Sequence, residues 1–293
     1  MVASSRFRWR YLALLDINFD QLRDDIRRWL REDVGSGDIT TQLTIDKASN
    51  SKGTLLAKSE TILAGLEVAR LVFLEVDPTV EFEALMPEGS VVKNRDRIAI
   101  LTGSSRSILT GERLGLNLLQ HMCAIASTTS TYVTKVAPYG CKIIDTRKTT
   151  PGLRQLEKYA VRVGGGFNHR FGLSDGILIK DNHIEAVGSI VEAVRRARMG
   201  APHLMKIEVE VGNLSEVVQA LEAGAEAILL DNMTNDEMTR AVEVISKRAI
   251  VEASGGMNLL RVEEVAKCGV DLISVGALTH SVVAADISMD FEL

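Results

Sequence analysis

Apolar strands alternate with amphipathic helices through the second half of the chain. Near-continuous apolar runs, such as AILL at 227–230 and LISV at 272–275, are typical of strands that are covered on both faces. The predicted strands lie at 142–146, 176–180, 207–211, 227–231, 250–254 and 272–276. The predicted helices lie at 153–163, 188–198, 214–223, 234–247 and 260–268. Because each strand is followed by a helix, the strands should run parallel.

The first part of the chain has a less regular pattern. It mixes predicted helices with short strands and turns, which is typical of an α+β domain. The predicted helices lie at 18–32, 65–75 and 107–126, and the predicted strands at 52–64, 80–84 and 98–102. The last helix should end in the hydroxyl-rich stretch 127–131, and a weaker strand candidate lies near 133–136. We therefore expect an N-terminal α+β domain at 1–126, rejoined by the tail 281–293, and a β/α unit at 127–280.

Polar or glycine residues follow the carboxyl end of each strand of the β/α unit. In a β/α barrel all these ends meet at one mouth, where barrel enzymes hold their sites. An open doubly wound sheet would concentrate ligands at its switch point and leave most of these residues unused. The pattern therefore predicts an α/β fold in which the strands form a β/α barrel.

The composition is that of a globular protein with an acidic balance. The chain has 293 residues, with 39 Asp and Glu against 34 Lys and Arg. The apolar runs are too short to cross a bilayer. Cys123, Cys141 and Cys268 are widely spaced within apolar segments, which favours buried, reduced thiols in a cytoplasmic protein. The arginine-rich stretch 1–15 resembles a transit peptide only weakly, and a disordered or loosely docked extension, or a first helical turn, is at least an equal alternative.

A cluster of cations stands out against this acidic background. It lies within 144–184, at strand ends and in a glycine-flanked loop, and it predicts a small anionic substrate rather than a nucleic acid. The cluster comprises Arg147, Lys148, His169, Arg170 and Lys180. On the intervening helix, Arg154, Lys158 and Arg162 are predicted to face solvent.

Carboxylates follow two neighbouring strands. Glu208 and Glu210 lie on the same face of one strand, because side chains alternate along it, and Asp231 ends the next. Buried carboxylates need cations or a metal beside them. Glu210 and Asp231 are therefore candidates for Mg²⁺ binding or for holding a polar substrate, and a purely structural salt bridge is the alternative.

Glycines follow the last two strands. Ser254-Gly255-Gly256 and Gly276-Ala277-Leu278 occupy the loops that often bind phosphate in barrels, through backbone N–H groups. The chain has neither a P-loop nor a dinucleotide-binding glycine fingerprint. These residues together indicate a site for a phosphorylated ligand and a second anionic ligand.

Long motifs resemble those of the quinolinate phosphoribosyltransferase family. The similarity rests on DTRKTTPG, on LEKYAVRVGGGFNHRFGLSDGILIKDNHI, and on GERLGLNLLQHMCAIAS, KIEVEV, ILLDNM, EASGGMN and VDLISVGALTHS. The resemblance implies that quinolinate and phosphoribosyl pyrophosphate give nicotinate mononucleotide, pyrophosphate and CO₂, with Mg²⁺, in NAD biosynthesis. It also implies a seven-stranded, incomplete barrel and at least a homodimer, in which the neighbour's N-terminal domain closes each barrel mouth.

The resemblance also assigns roles to individual residues. Residues that match the quinolinate-binding positions are Arg147, His169, Arg170, Lys180 and, from the other subunit, Arg113. Residues that match the phosphoribosyl pyrophosphate positions are Thr146, Lys148, Glu210, Asp231, Ser254, Gly255, Gly256, Gly276, Ala277 and Leu278. Catalytic roles are implied for Lys148, Lys180, Glu210 and Asp231, the last two also near the metal, directly or through water.

Other functions remain as alternatives. A paralogous phosphoribosyltransferase linked to molybdenum transport, or one that takes nicotinate without decarboxylation, would share this fold. Three arginines, Arg113, Arg147 and Arg170, favour a dicarboxylate. A non-catalytic nucleotide-binding barrel would have no reason to keep Lys148, Lys180, Glu210 and Asp231 at one mouth.

Overall fold

The computed structural model describes residues 17–292, which form two compact units. The first contains the described residues up to Thr128, together with Gln155–Gly164 and the segment from Val282 onward. The second contains Thr129–Arg154 and Gly165–Ser281. The arginine-rich stretch 1–15, with its weak resemblance to a transit peptide, lies outside the described residues. None of the helices within 17–292 is both long and apolar enough to cross a bilayer.

The elements follow the predicted order. The strands are β1 (Asn50–Ala57), β2 (Thr61–Ile62), β3 (Glu81–Ala84), β4 (Val91–Val92), β5 (Arg97–Ser104), β6 (Lys142–Ile144), β7 (Ile177–Ile179), β8 (Ile207–Val211), β9 (Ala227–Asp231), β10 (Ile250–Ser254), β11 (Leu272–Ser274) and β12 (Ile287–Glu292). The helices are α1 (Phe19–Val34), α2 (Ile39–Thr44), α3 (Leu66–Val76), α4 (Ser105–Val136), α5 (Arg154–Val163), α6 (Asp181–Val187), α7 (Ile190–Gly200), α8 (Leu214–Glu222), α9 (Asn235–Ile245), α10 (Val262–Lys267) and α11 (Ala277–His280), with a 3₁₀ turn at Ala137–Tyr139.

An antiparallel sheet of order β12–β1–β5–β3 forms the first unit, with the short pair β2–β4. The tail strand β12 pairs with β1 over Lys52–Ala57. The sheet's buried face packs on α3 and α4 through Phe73, Leu101, Ile108 and Leu119. Gly111 and Gly115 of α4 let the helix approach Phe73, because a Cβ there would lie 2.8 and 3.0 Å from its ring. The predicted N-terminal α+β domain is thus confirmed as a fold.

Helix α4 is longer than its sequence pattern predicted. It continues through the hydroxyl-rich stretch to Val136, so the predicted end at 126 and the strand near 133–136 are wrong. The hydroxyls do not end the helix because they bond within it. Ser127 donates to the Cys123 carbonyl and Thr134 to the Ser130 carbonyl, each at 2.8 Å.

The second unit contains a six-stranded parallel sheet of order β6–β11–β10–β9–β8–β7. All the strands predicted in the β/α unit are confirmed except the one near 133–136, and β8, β9 and β10 have the predicted bounds. Within the described residues no seventh strand forms. A single parallel bridge between Ile144 and Phe167 runs beside β6 instead, held by hydrogen bonds from Phe167 N–H to Ile143 and from Asp145 N–H to Phe167.

Side chains from alternate strands meet on one face of this sheet. Strands β8 and β10 are separated by β9, and in a flat sheet they would lie roughly 9.6 Å apart. The carboxylates of Glu208 and Glu252 nevertheless come within 4.8 Å of each other. Inward-facing layers contributed by alternate strands are the packing of a β/α barrel.

Helix α5 is less exposed than its sequence pattern predicts. Arg154, Lys158 and Arg162 were predicted to face solvent, yet Lys158 is 0% exposed and the two arginines are half-buried. From Gln155 the helix is grouped with the first unit. There Glu157 bonds the His121 ring at 2.9 Å, and the Tyr159 hydroxyl donates to Glu88 at 2.9 Å. A helical charge pattern cannot distinguish a solvated face from one covered by polar partners.

Glu88 caps the N-terminus of α3. Its carboxylate accepts the N–H groups of Gly65 (2.5 Å) and Leu66 (3.1 Å), besides the Tyr159 hydroxyl. A carboxylate at a helix N-terminus satisfies unpaired amides and interacts favourably with the helix dipole. Burial raises the pKa of Glu88, although these hydrogen bonds act against the shift.

We expect Glu88→Ala to lower the free energy of unfolding by about 3 kcal/mol and Glu88→Gln by about 1–2 kcal/mol, because buried donors lose their acceptor. Denaturant unfolding at neutral pH would measure both, with Glu81→Gln, which changes an exposed glutamate of the same unit, as control. Since the raised pKa means that the folded state binds the proton more tightly, wild type's advantage over Glu88→Gln should shrink as pH rises through the folded pKa. An unchanged midpoint for Glu88→Ala would contradict the capping role.

Candidate functional site

The carboxyl edge of the parallel sheet carries most of the predicted site residues. Because the strands are parallel, their carboxyl ends lie at one edge. The residues there are Thr146, Arg147, Lys148, Lys180, Glu210, Asp231, Ser254, Gly255, Gly256, Gly276, Ala277 and Leu278. His169 and Arg170 follow the bridge at Phe167, beside β6. Arg113 lies in the first unit, on the exposed side of α4.

Asp145 fastens the loop that carries His169 and Arg170. It directly follows β6 and is 0% exposed. Its carboxylate accepts the Asn168 side-chain amide at 2.6 Å and the His169 backbone N–H at 2.9 Å. Hydrogen bonds to an ionised acceptor in a buried setting are among the strong ones. The end of β6 and the returning loop are thereby held side by side.

Arg147 and Arg170 are held close despite their like charge. Desolvation lowers the pKa of Arg170, and the neighbouring Arg147 lowers it further, whereas Glu208 and Asp175 act in the opposite direction. Arg170 is anchored by a bond from Nη1 to the Gly176 carbonyl at 2.9 Å. Adjacent cations fixed at a strand end are the arrangement that an anionic ligand would stabilise.

Arg154 braces the same region from the first turn of α5. Its guanidinium donates to the Thr149 hydroxyl at 2.9 Å and to the Phe171 carbonyl at 3.0 Å. It therefore ties the segment after Arg147 to the segment after Arg170. The sequence pattern assigned this arginine to a solvated face, so its bracing role was missed.

Lys180 and Glu210 form an ion pair between the ends of β7 and β8. The lysine side chain is 43% exposed and the glutamate 15%. His183 caps the helix that follows, since its Nδ1 accepts the Lys180 backbone N–H at 2.9 Å. The cation of the pair is partly exposed and the anion is largely buried. Lys180 can therefore contact a ligand while Glu210 holds the lysine side chain in place.

His169, Glu208 and Glu252 form a buried group below these cations. Nε2 of His169 lies 3.1 Å from Glu208 and 3.7 Å from Glu252. Proximity alone would allow a metal ion here, because ligand atoms of all three lie within 4.8 Å. The Nδ1 atom, however, accepts the Arg170 N–H at 2.7 Å, so Nε2 carries the proton of the neutral ring and cannot also ligate a metal.

Glu252 is the residue of this group that sequence reasoning missed. Burial raises its pKa well above the usual range for glutamate, and the Glu208 carboxylate adds to the shift. Its detectable signal was a carboxylate inside the otherwise apolar run of β10. Such a residue in a fully covered parallel strand always needs a polar partner.

Lys148 lies over Gly276. A Cβ at Gly276 would lie only 3.0 Å from the Lys148 Cδ and 3.1 Å from the His280 ring. The Lys148 carbonyl also accepts a hydrogen bond from the Thr279 hydroxyl at 2.7 Å, and the Lys148 backbone N–H donates to Thr146 Oγ1 at 3.0 Å. A side chain at 276 would therefore press on Lys148 and on the His280 ring. Leu278 is buried, so only its peptide group is available to a ligand.

The loop after β10 has two successive residues with positive φ, Gly255 (93°) and Gly256 (58°). A Cβ at Gly255 would lie 2.2 Å from the Asn232 side chain, so only glycine fits. Arg261 joins this loop to the one after β9, since it donates to the Gly255 and Met233 carbonyls, each at 2.9 Å. Successive N–H groups in such a conformation form a concave site for anions.

Glu210 and Asp231 supply oxygen donors of the kind that Mg²⁺ prefers. Glu210 is paired with Lys180, and Asp231 accepts the Asn232 side-chain amide at 2.7 Å. Each carboxylate keeps lone pairs for a further contact. The donor set therefore fits a magnesium ion that arrives with an anionic ligand.

Models of two domains match almost the whole described chain. The N-terminal domain of quinolinate phosphoribosyl transferase matches residues 38–123, and its C-terminal domain matches 125–290. The chain belongs to the quinolinate phosphoribosyltransferase family. Its predicted family membership is thereby confirmed.

Relatives agree over most of their length. The chain is 43% identical to a probable carboxylating nicotinate-nucleotide pyrophosphorylase of Bacillus subtilis, with 94% of this chain and 96% of the relative covered. It is 44% identical to the Mycobacterium leprae enzyme of that name, covering 94% and 99%. The crystal structure of NadC from Streptococcus pyogenes superposes with a TM-score of 0.91 at 42% identity, covering 94% and 98%.

Arg261 offers a test of how this family member orders its glycine loops. We expect Arg261→Ala to increase amide hydrogen exchange at 232–234 and 254–257, because two carbonyls lose a charged donor. Arg248→Ala is the matched control, since Arg248 also donates to two carbonyls, Ile245 and Val244, away from these loops. Equal exchange in both loops for wild type and Arg261→Ala would contradict the brace.

Proposed function

We propose that the protein transfers the phosphoribosyl group of phosphoribosyl pyrophosphate to quinolinate, with loss of pyrophosphate and CO₂, to give nicotinate mononucleotide. The observation that carries this proposal is the charge interaction of Arg147 with Arg170, whose guanidinium is held by the Gly176 carbonyl, near the edge that also bears Lys148 and Lys180. Family membership supports the same reaction, since the named relatives are carboxylating nicotinate-nucleotide pyrophosphorylases.

Quinolinate carries two adjacent carboxylates, and the site offers matching cations. Arg147 and Arg170 would each bind a carboxylate, with Lys180 as a third positive contact. His169 precedes Arg170 and accepts its backbone N–H. Arg113, in the first unit, would come from the neighbouring subunit. A monocarboxylate such as nicotinate would leave one of these cations without a partner.

Phosphoribosyl pyrophosphate would occupy the other strand ends. The N–H groups of Ser254, Gly255 and Gly256 and those of Gly276, Ala277 and Leu278 would hold its 5′-phosphate. Lys148 and Thr146 would face its pyrophosphate and ribose. Glu210 and Asp231 would bind ribose hydroxyls and, directly or through water, Mg²⁺, which when bound would neutralise charge on the leaving pyrophosphate.

The chemistry requires positioning and electrostatic stabilisation rather than a nucleophilic residue. The C1′–O bond to pyrophosphate breaks through a state with positive charge on the ribose, while the quinolinate nitrogen attacks C1′. Lys148 and Lys180 would stabilise the departing pyrophosphate. Once alkylated, the ring nitrogen is positive and stabilises the electron pair left on the neighbouring carbon when CO₂ departs. That carbon then takes up a proton.

The same proposal includes assembly and location. A homodimer, or a higher homo-oligomer built from it, would complete each site with the neighbour's Arg113. The three cysteines are free and buried, which supports a reducing, cytoplasmic setting.

The direct test is an assay with purified protein, Mg²⁺, phosphoribosyl pyrophosphate and quinolinate. We expect pyrophosphate and CO₂ to be released in equal amounts, with nicotinate mononucleotide as product. Nicotinate in place of quinolinate should give little turnover, because it lacks the second carboxylate. Preference for nicotinate, or pyrophosphate release without CO₂, would overturn the assignment.

A mixing experiment tests the shared site. Arg113→Ala and Lys148→Ala should each be inactive alone, yet an equilibrated equal mixture should recover about a quarter of wild-type activity. Half the dimers would then be mixed, and each of those would have one intact site.

Arg147→Ala mixed with Lys148→Ala is the matched control, because both changes affect residues of the same subunit's sheet edge. That mixture should stay inactive. Lack of recovery with Arg113→Ala, after subunit exchange has been verified by mass spectrometry, would argue against a neighbour's arginine in the site.

A further inference from the structure

In the second unit, the buried carboxylate of Glu252 lacks part of its hydrogen bonding. Glu252 is 1% exposed, and among the described residues its Oε1 has no hydrogen-bond partner. Burying a polar atom without a partner costs free energy, and an apolar residue of similar size would avoid that cost in a purely structural strand. Its Oε2 is directed towards the Nε2 of His169, at 3.7 Å. A purely structural role therefore does not explain a glutamate at position 252, whereas a role in the adjacent site would.

The His169 ring is fixed at both nitrogens. Nδ1 accepts the N–H of Arg170 at 2.7 Å, and Nε2 faces the carboxylate of Glu208 at 3.1 Å. Its backbone N–H is held separately by Asp145 at 2.9 Å. Because Nδ1 is an acceptor, the ring can remain in this orientation only as the neutral tautomer with the proton on Nε2. The carboxylates below the ring select that tautomer.

The ring orientation determines the path of the chain into Arg170. A 180° rotation of the imidazole would break the hydrogen bond from the Arg170 N–H to Nδ1. The ring would then direct a C–H group at that N–H instead of an acceptor. Arg170 stands beside Arg147, so its position is electrostatically unfavourable unless it is held. Its guanidinium is held by Gly176, and its backbone by the His169 ring.

Glu252 and Glu208 act as one unit under the ring. Glu252 lies on β10 and Glu208 on β8, and carboxylate oxygens of the two lie within 4.8 Å of each other. Glu208 lies closer to Nε2 of His169 than Glu252 does, at 3.1 Å against 3.7 Å, so Glu208 is the acceptor for Nε2–H. Ser274 and Lys180 are the other polar groups that act on Glu252.

We propose that Glu252 is a positioning residue for the quinolinate site, which orients the ring of His169 through Glu208 and thereby fixes the backbone at Arg170. This inference rests on the proposed function for its kinetic consequence, but its structural part is independent of any activity. Glu252 contacts no substrate in this scheme, and its effect reaches the dicarboxylate only through the neighbouring loop.

Two volume-matched variants separate hydrogen bonding from packing. Glu252→Gln keeps a polar group that can donate to Glu208, whereas Glu252→Met keeps the volume and removes the polar group. Glu226→Gln is the control, since Glu226 lies in the same unit before β9 and bonds Arg198 and the Ile207 N–H.

The first measurement is the side-chain ¹⁵N spectrum of the histidines, with His169 assigned by His169→Asn. Wild type, Glu252→Gln and Glu226→Gln should show His169 as the neutral Nε2–H tautomer, and Glu252→Met should show a mixture. A wild-type ring protonated on Nδ1 would overturn the proposal even if Glu252→Met failed to fold. The same tautomer in wild type and folded Glu252→Met would overturn it too.

The second measurement is steady-state kinetics of folded variants. Glu252→Met should raise the KM for quinolinate about tenfold, the scale of one lost buried hydrogen bond, with the KM for phosphoribosyl pyrophosphate within about twofold of wild type. Glu252→Gln should recover most of the loss. Equal effects on both KM values would indicate a general structural role and overturn the positioning role. Absence of activity in wild type would instead contradict the proposed function, and the tautomer spectrum would still decide the role of Glu252.

Discussion

The site depends on the hydrogen bonds that the buried carboxylate of Asp145 accepts. It stands directly after β6, and it accepts hydrogen bonds from Asn168 and His169, which follow the parallel bridge at Phe167. The Arg154 guanidinium adds a further link between these segments, since it donates to the Thr149 hydroxyl and to the Phe171 carbonyl. The cations of the site come from separate segments of the chain, so their spacing depends on such links. A carboxylate suits the task because it can accept from a side chain and a backbone amide together.

The arginines near the strand ends share a second pattern. Arg154, Arg170 and Arg261 each donate to backbone carbonyls of loops rather than to carboxylates. A guanidinium bonded to neutral carbonyls fixes the loop but keeps its full positive charge, whereas a salt bridge would cancel that charge. The edge of the sheet is thereby rigid and positive at once, within a chain whose formal net charge is −5. The acids that balance the cations, Glu208, Glu210 and Glu252, lie beneath them and are largely buried.

The sequence predicted elements much better than contacts. The strands β8, β9 and β10 were placed to the residue, because β9 and β10 are largely apolar and β8 alternates apolar residues with Glu208 and Glu210. The end of α4 was wrong, since Ser127 and Thr134 bond within the helix instead of ending it. Strand-end cations could be foreseen because parallel strands converge. Arg154, Arg261 and Glu252 could not, because each acts on residues distant in sequence, and no local periodicity records such a partner.

The glycines of the two loops illustrate why residue type alone underdetermines function. Gly255 and Gly276 were predicted for their backbone N–H groups, as sites for phosphate. The structure gives each a further, steric reason: at Gly255 a side chain would collide with Asn232, and at Gly276 it would displace Lys148. Close approach of Lys148 to the loop after β11 means that the group proposed to face pyrophosphate and the loop proposed to hold the 5′-phosphate are placed by the same contact. A larger residue at 276 would therefore disturb the lysine as well as the phosphate loop, so loss of activity in such a variant could not be assigned to phosphate binding alone.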